Sequence, residues 1–161
     1  MDVGLFIDNT SRNASDGKFF ERRNPVDGSL VTRAAAATAA DAAAAADSAA
    51  RAFVTWSATG PSERRRILLA AADRIEAKTP EFIEVMAREI GAQGLWAGFN
   101  VMLAANLFRE AAALATQIQG ETIPTDKPGT LSMTLRQPVG VVLSIVSWNG
   151  PVVRAARPIA Y

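Results

Sequence analysis

The chain has 161 residues, 49% of them hydrophobic and 20% charged, with a formal net charge of +1. That is enough for one soluble domain with a core, and so weak a net field gives no reason to expect nucleic acid or an acidic membrane surface as a partner. With neither cysteine nor histidine, the chain supplies no disulfide, no Cys/His metal site, no histidine-based triad and no thiol nucleophile of its own.

No apolar stretch approaches the length of a membrane span. Residues 1–20 lack the basic-then-apolar order of a secretory leader. No membrane partner and no metal are expected, and the expected location is cytoplasmic.

Residues 5–7 are a short apolar run followed by a polar turn through Asp16-Gly17. Residues 19–23 read as a second strand. Asn24-Pro25-Val26-Asp27-Gly28 reads as a turn, because proline presets φ and glycine accepts a positive one. Residues 30–35 resume an extended run, so a small antiparallel meander is expected. Residues 38–56 are dominated by alanine, the best helix former. Thr38 with Asp41 three residues on matches a capping box, and Ala45, Ala49, Ala52, Phe53 and Trp56 form a mostly small stripe suited to close packing.

Pro61 opens a second helix at its first turn, with Ile67, Leu68, Ala71, Ala72 and Ile75 at helical spacing. Thr79-Pro80-Glu81 reads as N-cap, first helical residue and acidic first turn of a third. Phe82, Ile83, Met86 and Ile90 make its buried face, and Gly91 ends it. A longer helix is expected over 95–119, closed by Gly120 in a left-handed cap. Residues 121–129, with Pro124, Pro128 and Gly129, read as a loop. Residues 131–136 alternate as a strand, and 139–146 are almost continuously apolar, as in a strand covered on both faces. Pro151 then starts a last helix. A strand feeding a helix is the first half of a βαβ unit, so the fold class expected is α/β.

Several features have ordinary explanations. Arg22-Arg23 and Arg64-Arg65-Arg66 read as solvated charge. Glu81, Glu84 and Glu89 read as surface acids, not an acid/base pair. Gly94 and Gly98 suit close packing or a soft helix start. No G-x-G-x-x-G and no Walker A pattern occurs. Ser147-Trp148-Asn149-Gly150-Pro151 is different, because it follows the carboxyl end of an apolar strand, where open α/β sheets place their ligands. Asn149 there offers two donors and an acceptor; the alternative is a plain turn residue.

"QPVGVVLSIVSWNGP" resembles the N-terminal region of the NAD(P)-dependent aldehyde dehydrogenases, where a Pro-x-Gly-Val-x-x-x-Ile strand runs into a Trp-Asn pair. "NPVDGSLV" resembles that family's Asn-Pro-x-x-Gly turn, "PSERRRILLAAADRIE" its second helix, and "GETIP" its loop before the oligomerisation strand. The likeness covers essentially the whole chain in order. "GLWAGFNVMLAANLFREAAALATQIQGE" is most similar to the aromatic-aldehyde branch.

The resemblance implies an α/β fold made of an incomplete Rossmann-like NAD-binding domain plus one strand of the oligomerisation arm. It divides the chain into 1–130 (meander and helices), 131–137 (arm strand) and 138–161 (first strand and helix of the Rossmann-like sheet). It implies oxidation of an aromatic aldehyde, of the salicylaldehyde kind, to its acid, with NAD as cofactor and NADP also open, in a homo-oligomeric parent. In the family a cysteine thiolate attacks the aldehyde, hydride passes to the nicotinamide, and a glutamate activates water.

Asn149 matches the asparagine that donates to the developing oxyanion. Trp148 and the backbone at Ile145 and Val146 match the cofactor-binding part. Trp96, Phe99 and Leu103 match one wall of the aldehyde tunnel, and Gly150, Val153, Arg154 and Arg157 the other, with Arg157 placed to hydrogen-bond a ring hydroxyl. Three residues depart from the pattern: Ser147 where proline is usual, Arg154 where the tunnel is apolar, and Pro158 inside a helix, where it costs about 3 kcal/mol. The family's cysteine and glutamate fall beyond Tyr161, so this chain by itself is expected to be inactive. The alternative is a non-catalytic truncated module that pairs with full-length subunits through the arm strand.

Overall fold

The structure is a computed structural model that describes residues 1–161. Its β portion comes first, in five short strands: β1 (Asp2–Val3), β2 (Leu5–Ile7), β3 (Thr10–Arg12), β4 (Phe19–Arg23) and β5 (Leu30–Ala35). β2 and β3 form an antiparallel hairpin whose two turn residues, Asp8 and Asn9, both take positive φ. That is the turn geometry whose twist matches paired strands. β4 and β5 pair antiparallel across the turn at Gly28, which takes φ 73°. β1, however, lies parallel to β5 on its other side, giving the order β1-β5-β4. The region is therefore not the wholly antiparallel meander expected, because β2 and β3 pair with each other and leave β1 beside β5.

Four helices follow: α1 (Ala39–Ser57), α2 (Pro61–Ala77), α3 (Thr79–Ile90) and α4 (Gly94–Leu114). At the start of α1 the capping box forms as the sequence indicates. The Thr38 hydroxyl accepts from the Asp41 amide, and Asp41 accepts in return from the Thr38 amide at 2.8 Å. Asp41 also accepts from the backbone and hydroxyl of Ser15, which ties the helix to the loop after β3. The close packing expected along its alanine stripe is absent: Ala49, Ala52 and Trp56 are exposed, and Ala45 and Phe53 only partly covered. Alanine methyls offer little area to bury, so propensity and the cap sustain this helix.

Lys78 ends α2 and begins α3. Thr79 is the first helical residue and not the N-cap, because its hydroxyl donates back to the Glu76 carbonyl. Gly91 closes α3 in the left-handed conformation, φ 66°. Glu89 is more than a surface acid: it accepts from the Thr32 hydroxyl at 2.5 Å and pairs with Arg22 at 3.8 Å, fastening α3 to the sheet. Arg64 likewise donates to the Trp56 and Ser57 carbonyls at the end of α1.

α4 is the hub. Its Ala104, Ala105, Phe108, Ala111 and Ala112 pack against Leu68 and Ala72 of α2 and against Ala156 and Ala160 of α5 (Pro151–Ala160). Near its start, Ala97 packs with Met86 of α3 and with Ala92. A helix contacted on several sides is apolar around most of its circumference, and small side chains let the axes approach.

After Leu114 a short 3-10 turn (Ala115–Gln117) gives way to extended chain at Ile118. Gly120 is not the left-handed cap expected. A Cβ there would stand 2.0 Å from the Thr134 carbonyl oxygen, so its glycine serves close approach of two backbones. That approach belongs to β6 (Thr122–Ile123) and β7 (Ser132–Met133), which pair antiparallel. The strand expected over 131–136 is thus reduced to two residues, and the stretch 121–129 contains its partner.

Residues 139–146 form no strand. They are extended but make no backbone hydrogen bond within the chain. Val139 is 91%, Leu143 84% and Ile145 89% exposed, not covered on two faces. A strand is defined by its partner, and no other segment here lies alongside.

Candidate active site

The extended segment ends at Asn149, and α5 begins two residues later with Pro151 in the first turn. Between α5, the start of α4 and residues 144–149 lies a cleft of about 880 Å³. That volume is in the range of small-molecule sites. Trp96, Leu103 and Leu107 line it from α4; Ile145, Val146, Ser147 and Asn149 from the extended segment; Gly150, Val153, Arg154 and Arg157 from the N-terminal turns of α5. Of the residues singled out in the sequence, nine are therefore brought together here. Phe99 and Trp148 are not among the lining residues. Phe99 stacks on Trp96, centroids 5.8 Å apart, and Trp148 is 68% exposed.

Two hydrogen bonds hold Asn149. The Trp96 indole N–H donates to its backbone carbonyl at 3.2 Å, across from α4. The Ser147 hydroxyl donates to its side-chain Oδ1 at 2.9 Å. The other arm of the amide, Nδ2, makes no hydrogen bond within the chain. Beneath, the wholly buried Asn100 donates to the Trp96 carbonyl at 3.0 Å and leaves its Oδ1 without a partner. A Cβ on residue 150 would meet that oxygen at 3.0 Å, so Gly150 lets the loop settle onto α4.

α5 continues through Pro158 to Ala160. The missing N–H falls opposite the Arg154 carbonyl, on an exposed turn where water can serve it. Arg154 and Arg157, both exposed, carry positive charge to the cleft. At its far end partial desolvation raises the Tyr161 phenol above its ordinary pKa, with the negative charge of Glu110 adding to the effect and Arg157 opposing it.

Leu107, Ser144, Ser147, Pro158 and Tyr161 also line the cleft, outside the site residues that the resemblance marks. Leu107 lies one helical turn beyond Leu103 and Tyr161 one turn beyond Arg157, a signal the spacing carries. Ser147 is marked only by standing where proline is usual.

A model of the aldehyde dehydrogenase family matches residues 12–161. The chain belongs to the aldehyde dehydrogenase family. It is 65% identical over 161 residues to a salicylaldehyde dehydrogenase of Pseudomonas sp. (strain C18), covering 100% of this chain and 33% of that protein. Its structure is similar to the crystal structure of a salicylaldehyde dehydrogenase from Pseudomonas putida G7 complexed with salicylaldehyde. The TM-score is 0.97 at 63% identity, over 100% of this chain and 33% of that one. It is also similar to PnpE in complex with nicotinamide adenine dinucleotide, TM-score 0.94 at 39% identity, over 99% of this chain and 33% of that one. The chain spans about a third of the length of the relatives it matches. The α/β fold read from the sequence is that of these aldehyde dehydrogenases.

Proposed function

We propose that this chain forms the part of an aldehyde dehydrogenase that receives an aromatic aldehyde and stabilises the oxyanion developed during its oxidation to the acid. The observation that carries the reading is Asn149. It lines a cleft together with Trp96 and Leu103 of α4 and Gly150, Val153 and Arg157 at the other wall. An aromatic wall suits an aromatic ring, and Arg157 offers fixed donors for a ring hydroxyl. The salicylaldehyde dehydrogenases to which the chain is 63–65% identical support the same substrate class.

With Oδ1 engaged by Ser147, the Asn149 N–H donors are the free end of the amide. Donors already in place as negative charge appears on the aldehyde oxygen need not reorganise, which is why such groups act on the transition state. The unpaired first-turn N–H groups of α5 add positive potential at the same end. On this reading the thiolate and the general base come from other parts of the enzyme; this chain has no cysteine.

A nicotinamide dinucleotide supplies the hydride acceptor when bound. Residues 144–148 fit it: their backbone groups are free of hydrogen bonds within the chain, and Trp148 offers an open aromatic face. NAD is the form proposed, on the similarity to PnpE with that cofactor. In the domain division proposed, 1–130 carries the meander and helices, 131–137 the arm strand, and 138–161 the start of the nucleotide-binding sheet.

The test is Asn149→Ala in the full-length enzyme. The expected result is a kcat lowered roughly 100- to 1000-fold, the cost of losing one oxyanion donor, with NAD affinity unchanged. A near-wild-type kcat, or a loss that tracks thermal stability, overturns the reading and leaves Asn149 a turn residue.

A further inference from the structure

We propose that Ser147 is a positioning residue for Asn149: its hydroxyl holds and polarises the Asn149 amide so that the N–H end faces the cleft. The proposal rests on the oxyanion reading above and names a residue that reading does not require.

A primary amide turns about its terminal torsion with little preference, because the well for such a torsion is broad and roughly two-fold. At an exposed loop position nothing in the packing selects its plane, and Asn149 is exposed. Two contacts make that selection here. The Trp96 indole fixes the backbone carbonyl of Asn149 from α4, so the residue cannot drift along the cleft. The Ser147 hydroxyl, 2.9 Å from Oδ1, fixes the side chain. With the oxygen held, the NH2 group is the arm left for a ligand.

The hydroxyl does more than orient. Donation from N–H to a developing oxyanion shifts electron density toward Oδ1. A donor already on Oδ1 stabilises that shift, as in any chain of hydrogen bonds whose members polarise one another. The serine O–H, the amide and the substrate oxygen then form one relay, whose gain appears as negative charge grows. The effect belongs to the chemical step and not to aldehyde binding, so it separates kcat from KM. Proline, the residue usual at this position, supplies no donor; it restricts the loop through its ring instead.

The experiment compares Ser147→Ala, Ser147→Thr and Ser147→Val in the full-length enzyme, alone and combined with Asn149→Ala, by single-turnover NADH formation and steady-state KM. Threonine and valine have nearly the same shape and differ in the hydroxyl. Ser147→Ala and Ser147→Val are expected to lower the single-turnover rate about three- to tenfold, the scale of one neutral hydrogen bond, with KM unchanged. Ser147→Thr is expected to restore it. In the Asn149→Ala background Ser147→Ala should have no further effect, because its partner is gone.

An unchanged rate in Ser147→Ala beside a large loss in Asn149→Ala overturns the Ser147 role and leaves the oxyanion reading standing. Equal losses in the threonine and valine variants, or the same loss in the Asn149→Ala background, also overturn it, since the serine would then act by shape or through another group. An unchanged rate in Asn149→Ala removes the reading on which it rests.

Discussion

Arg157 carries the most specific statement about substrate. It stands on α5 one turn before Tyr161 and lines the cleft with Val153, opposite Leu103 and Leu107 of α4. On the proposed function, its guanidinium meets a hydroxyl ortho to the aldehyde. In the full-length enzyme, Arg157→Ala is expected to lower the ratio of kcat/KM for salicylaldehyde over benzaldehyde by roughly tenfold, the lower end for a charge-assisted hydrogen bond. An unchanged ratio removes Arg157 from recognition, and faster oxidation of a short aliphatic aldehyde than of either ring compound removes the aromatic class. Arg154 shares the cleft, but its stem lies across Gly150, with Cγ 3.9 Å from where a residue-150 Cβ would stand.

Among the elements, α1 has the least support from packing and the most from its cap. Its tie to the β region centres on one carboxylate, Asp41, with four donors from Thr38 and Ser15, whose hydroxyls also bond each other. The backbone N–H of Thr38, and then that of Ser15, hold this carboxyl below the usual aspartate range. A folded-state pKa below the unfolded one stabilises fully above about pH 3.9, the unfolded value. That contribution is lost as pH falls through the lowered folded value. Asp41→Asn should therefore lower Tm at pH 7, and the gap from wild type should close as pH falls below about 3.9 and through the lowered folded value. Thermal melts of the 161-residue chain across that range measure it, and a gap independent of pH shows that the carboxylate's charge is not what holds α1.

For the molecule as a whole, the decisive feature is apolar surface left open. The extended segment presents Val139, Val142, Leu143 and Ile145 to solvent with its backbone donors and acceptors unpaired, and much of the alanine face of α1 is open as well. Unpaired extended backbone with apolar side chains is a template for association. The 161-residue chain is expected to self-associate at micromolar concentration. Size-exclusion chromatography with light scattering tests this, and a cooperatively unfolding monomer at that concentration contradicts it.

How much of this was legible in the sequence depends on how local the cause is. Thr38 with Asp41, proline in the first turns of α2 and α5, and Gly91 after α3 act within a few residues, and each appears in the structure at its expected element. The helical spacing of Leu68, Ala71, Ala72 and Ile75 likewise determined which face of α2 packs, although Ile67, read with them, is exposed. The order of motifs from "NPVDGSLV" to "SWNGP" determined the family. What lies between distant segments was not legible. Whether 139–146 forms a strand depends on a neighbour, and periodicity describes one segment at a time. The use of Gly120 for contact with Thr134, the parallel pairing of β1 with β5, and the clamp of Trp96 and Ser147 on Asn149 are all decided by where other backbone lies. Local sequence sets torsional preference and capping, whereas hydrogen-bond partners across space exist only once the helices have packed.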